Sequence, residues 1–80
     1  MTLDELPWDS RSYVLVKLSN GDALQIFRPG RKGLYDLYQL NDTKNANRRV
    51  WWDVDALTAQ CILNALLQDP LMQLSDHPER

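Results

Sequence analysis

At 80 residues and 9.3 kDa the chain has single-domain size, near the lower limit at which one hydrophobic core suffices. Its 44% hydrophobic and 25% charged residues exclude a disordered chain, its one cysteine excludes an internal disulfide framework, and no apolar run is long enough to span a bilayer. The net charge of −2 conceals a split: six bases (Arg28, Arg31, Lys32, Lys44, Arg48, Arg49) and two acids between positions 28 and 49 make +4, while the remainder, with three bases and nine acids, makes −6.

The chain is expected to be one domain over 1–80, with an arm at 1–11, a sheet at 12–53, a helix at 54–68 and a short helix or tail at 69–80. In the arm, Leu3, Leu6 and Trp8 surround Pro7 and predict an irregular apolar segment. Ser12–Ser19, rich in β-branched and aromatic residues, predicts the first strand, and Asp22–Arg28 the second. A two-residue Asn20-Gly21 loop would mix polar and apolar residues on both faces. A three-residue loop, with Gly21 left-handed, pairs Leu18 with Asp22, Val16 with Leu24 and Val14 with Ile26. That register collects Val14, Val16, Leu18, Leu24 and Ile26 on one face, and a slip of one residue would destroy it.

Pro29–Gly33 breaks the chain before a third strand, Leu34–Leu40, whose Asp and Gln residues make it the weakest pattern. A polar loop, Asn41–Asn47, precedes a fourth strand at Arg48–Trp52. Asp53 or Asp55 suits the cap of a helix that Asp69-Pro70 stops. On that helix Val54, Leu57, Cys61 and Ala65 form an apolar line, flanked by Ile62 and Leu66, with Leu63 and Leu67 opposite. No charge occurs from Ala56 to Gln68, so the helix is expected to be covered on more than one side. Asp69-Pro70 is suited to begin a second short helix through Leu71, Met72 and Leu74. The fold class is therefore α+β: a small antiparallel meander of about four strands, then one main C-terminal helix.

Signatures of catalysis are weak. His77 is the only histidine and lies in a terminal tail, without the surroundings that fix a catalytic tautomer. Cys61 falls on the apolar line, where a thiol behaves as a small buried hydrophobe. Asp53 and Asp55 could offer oxygens to a divalent cation, but helix capping accounts for them. Gly30-Arg31-Lys32-Gly33 lacks P-loop spacing and precedes a strand. Tyr13–Val16 and Cys61–Leu63 are similar to stretches of the MbtH-like family. Its Ser-x-Trp-Pro and Trp-Thr-Asp-x-Arg-Pro stretches are missing, so none of its properties carries over. The expectation is a protein without enzyme activity, cofactor or metal, placed in the cytoplasm by its lone cysteine and by the lack of a basic, apolar leader in MTLDELPWDS.

The adjacent tryptophans carry more information. Neighbours in a strand point to opposite faces, so one of Trp51 and Trp52 enters the core and the other joins Tyr13, Leu15 and Phe27 on the far face. The third strand adds to that face either Leu34, Tyr38 and Leu40 or Tyr35 and Leu37. The arm, closure into a barrel, or another chain must cover it. The expected function is that of a small non-catalytic protein-binding module, a regulator or accessory subunit whose partner is another protein or a second copy. The expected contacts are Tyr13, Phe27, Trp51 or Trp52, Arg48 and Arg49, together with an uncharged helix back at Leu63 and Leu67. The alternative is a nucleic-acid-binding regulator using Arg28, Arg31, Lys32, Lys44, Arg48 and Arg49. In a meander, however, the 29–33 and 41–47 loops lie at opposite ends of the sheet, roughly 20 Å apart.

Overall fold

The computed structural model describes residues 2–8, 13–28, 33–41 and 46–74. Four strands, β1 (Tyr13–Lys17), β2 (Ala23–Phe27), β3 (Tyr35–Leu40) and β4 (Asn47–Val54), form an antiparallel meander in the order β1-β2-β3-β4. A 3-10 turn, η1 (Leu3–Glu5), precedes them and one helix, α1 (Ala56–Gln68), follows. This is the expected α+β fold.

The β1–β2 hairpin has the three-residue loop. Val14 opposes Ile26 and Val16 opposes Leu24. The Leu18 N–H donates to the Asp22 carbonyl at 2.9 Å, and Gly21 turns the chain with φ of 94°. Only glycine takes that backbone freely. Asn20 Oδ1 accepts from the Asp22 N–H at 3.0 Å and steadies the turn.

Strand β4 is longer than expected because it carries two irregularities. Gln39 pairs with Arg49 but Leu40 with Asn47, leaving Arg48 as an extra residue; between the Leu37–Trp51 and Tyr35–Val54 pairs β4 again has one residue more than β3. Each insertion resets the alternation of faces. The second lets Trp51 and Val54, three positions apart, both enter the core. Asp53 absorbs the distortion with φ of 56°, and its N–H donates to Asp36 Oδ1 at 2.9 Å.

The core lies between one sheet face and α1. Val14, Val16, Leu18, Leu24, Ile26, Leu37, Trp51 and Val54 come from the hairpin and sheet, Ala59, Ile62, Leu63 and Leu66 from the helix, and Leu3 and Leu6 from the arm. The arm is anchored to the helix, with Gln60 Oε1 accepting from the Leu3 N–H at 2.8 Å.

Three helix expectations are corrected. The helix starts at Ala56 and not at Val54, which ends β4, while Asp55, one of the two expected caps, does cap it, its Oδ1 accepting from the Thr58 N–H at 2.7 Å. The buried stripe is Ala59, Ile62, Leu63 and Leu66, whereas Leu57 is 75% exposed, Cys61 is exposed and Ala65 is half-buried. The outer stripe (Leu57, Cys61, Asn64, Gln68) mixes in two amides; the inner one is wholly apolar, and burial follows the stripe without polar groups. The helix is therefore covered on one side. Finally, Asp69–Met72 is a turn, not a helix: the Met72 N–H donates to the Asp69 carbonyl at 3.0 Å, and Asp69 Oδ1 accepts from the Leu71 N–H at 3.1 Å.

Candidate functional site

The two tryptophans separate as strand geometry requires. Trp51 is fully buried, opposite Leu37, with the Arg49 guanidinium 5.3 Å from its ring centroid. Trp52 lies on the far face, half-buried, its indole Nε1–H donating to the Tyr38 hydroxyl at 3.0 Å.

Tyr38 shares the parity of Asp36 and Leu40, so β3 gives the far face its Tyr38 and Leu40 and gives the core Tyr35, Leu37 and Gln39. Across the far face Tyr13 stacks on Phe27 at 5.4 Å between centroids, and Phe27 meets Tyr38 edge-on at 5.6 Å. A continuous row, Tyr13–Phe27–Tyr38–Trp52, thus crosses all four strands. Leu15, beside Tyr13, is 52% exposed. Each ring in the row is fixed by its neighbours, which leaves little rotamer freedom to lose on contact with another surface.

Two routes to covering this face are closed among the described residues. The arm packs on the opposite side: Leu3 and Leu6 are in the core, and Trp8 lies 6.3 Å from Tyr35 with its indole Nε1–H donating to the Leu3 carbonyl at 2.8 Å. The sheet does not close, because β1 pairs only with β2 and β4 only with β3. Both described elements outside the sheet, η1 and α1, pack on the other face.

The other expected contacts sit elsewhere. Leu63 is fully buried beneath the helix, and Leu67 is half-buried against the core. Neither forms an exposed helix back; the surface they were expected to line consists of Leu57, Cys61, Asn64 and Gln68.

Arg48, which stays exposed, and half-buried Arg49 both donate into a network built on buried Asp22 and Gln39. Arg48 Nε donates to Asp22 Oδ2 at 2.8 Å, and Gln39 Nε2 donates to the same oxygen at 3.0 Å and to the Pro70 carbonyl at 2.7 Å. Arg49 Nε donates to Gln39 Oε1 at 3.0 Å, Nη1 to the Met72 carbonyl at 2.6 Å and Nη2 to the Pro70 carbonyl at 2.8 Å. Asp22 and Gln39 are buried at 1% and 0% exposure, so these bonds satisfy groups that would otherwise be costly. Burial pushes the Arg49 guanidinium below its ordinary value, and neighbouring Arg48 adds to the effect. The β4 bulge makes the network: by adding a residue it brings both arginines to the core side, where strict alternation would have sent one away. Sequence reasoning missed Asp22, Gln39, Pro70 and Met72 as their partners; the isolated Asp and Gln in apolar strands were the available signal.

The basic residues do not assemble into one surface among the described residues. Arg28 sits over Trp8, 4.3 Å from the ring centroid, while Arg31, Lys32 and Lys44 lie outside the described residues, as does His77. No cluster of three or more metal-ligating side chains occurs among the described residues, and no helix is long and apolar enough to cross a membrane. No protein-family model, curated protein or solved structure matches the chain.

Proposed function

We propose that the protein is a small non-catalytic binding module, a regulator or accessory subunit, whose far sheet face receives a protein partner. The supporting observation is the aromatic row Tyr13–Phe27–Tyr38–Trp52, ordered by ring contacts and the Trp52–Tyr38 hydrogen bond on a face that no described element covers. Rigid, half-exposed Tyr and Trp side chains are the residues that dominate binding energies at interfaces. The exposed Cys61 thiol suits a reducing compartment, and the cytoplasm is the proposed location.

The test is capture from cell extract by the wild-type chain and by Trp52→Ala. A discrete protein should be retained by wild type and lost with Trp52→Ala, while circular dichroism shows the variant folded. Equal capture by both chains, or no capture by wild type, overturns it.

A further inference from the structure

The two edges of the sheet are unlike. The β4 edge is broken by two extra residues and carries Arg48, Arg49 and Asp53. These are the devices by which sheets avoid pairing with other chains. The β1 edge has fewer of them: YVLVK is unbulged and contains no proline, and its single charge, Lys17, stands at its end.

The hairpin fixes which groups that edge presents. Leu18 turns its N–H and C=O toward the second strand, donating to Asp22 and accepting from the Gly21 N–H at 3.1 Å. Backbone direction alternates along a strand, so Val16 and Val14 also turn inward to β2, and Leu15 and Lys17 turn outward. Along that outer edge no strand lies among the described residues.

We propose that a second copy of the chain pairs here, antiparallel, about a two-fold axis through Leu15. On that axis Leu15 and Leu15 of the second copy become a hydrogen-bonded pair, exchanging two N–H···O bonds and bringing their exposed side chains together. The same register sets Lys17 of each copy opposite Tyr13 of the other. The lysine stem lies along the tyrosine ring, and the two ammonium groups stay at opposite ends of the seam. Such a contact is self-complementary, as a two-fold interface requires. It joins the two sheets into one of eight strands and makes their aromatic rows continuous through the Leu15 pair. A five-residue strand is short against the roughly 20–30 residues a side of a standard interface. The contact is therefore small, and association is to be sought from about micromolar to millimolar concentration.

This pairing does not depend on the partner proposed above. Sedimentation equilibrium across that concentration range should show the 9.3 kDa monomer rising to twice its mass. Leu15→Lys and Leu15→Glu should each remain monomeric, since each sets like charges opposite one another on the axis. An equimolar mixture of the two should associate again. Trp52→Ala, on the distant β4, should self-associate as wild type does, so loss of the partner and loss of the pair are told apart. Independently of any variant, amide exchange at Leu15 and Lys17 should slow as wild-type concentration rises. A wild-type mass that stays at 9.3 kDa at millimolar concentration overturns the proposal. So does exchange that is independent of concentration, association of Leu15→Lys alone, or failure of the mixture to associate.

Discussion

Trp51 and Trp52 share a peptide bond and almost nothing else. Trp51 is fully buried and joins Leu37, Leu63 and Leu66 in the core, while Trp52 stands half-exposed at the end of an aromatic row. The core face is packed by a helix and an arm, and its polar residues, Asp22 and Gln39, are held in a network; among the described residues the far face is packed only by its own side chains. The difference teaches that apolar character does not decide which side is the core. What decides it is which side the connected elements can reach, and both η1 and α1 reach the same one.

The contrast can be broken in order of expected effect. Trp51→Ala removes a large side chain from a closed site and should cost about 3–5 kcal/mol, enough to unfold much of a domain this small. Thermal or urea unfolding measures it. Gln39→Ala strands Asp22 and Arg49 at once and should cost about 2–3 kcal/mol. Its signature is local: amide exchange should rise first in residues 69–74, which Gln39 and Arg49 hold through the Pro70 and Met72 carbonyls. Trp52→Ala should cost about 1 kcal/mol, the loss of one hydrogen bond and partial burial, and should act on binding instead.

The smallest effect concerns the helix cap. Hydrogen bonds from Thr58 hold the Asp55 carboxyl below its ordinary value. A group depressed in the native state stabilises fully above the value it has in the unfolded chain, and the contribution is lost as pH falls through the native value. Wild type should therefore lose a small increment of stability on acidification through the range where free aspartate titrates. Asp55→Ala should lack that increment at neutral pH and show a flatter pH profile, measured by the unfolding midpoint.

Much of this arrangement was legible in the residues. The hairpin register followed from the one loop length that makes a clean apolar face, and the split of Trp51 from Trp52 followed from alternation alone. The partners of Arg48 and Arg49 were not legible because alternation ends at a bulge, and a bulge is set by pairing with β3, which local sequence does not display. The helix face was misread for a related reason. A helix apolar on two sides leaves the choice to tertiary packing, and the polar Asn64 and Gln68 were the clue to its outer side. Gln39 looked out of place in a strand and proved to be the centre of the network that the bulge makes.

Urea unfolding of Trp51→Ala and Trp52→Ala, run side by side, tests the division between the two faces most directly. The expected result is a loss at least twofold larger for Trp51→Ala, with Trp52→Ala keeping a cooperative transition near that of wild type. Equal losses from both substitutions would contradict it, because Trp52 would then be a core residue and the far face would already be covered.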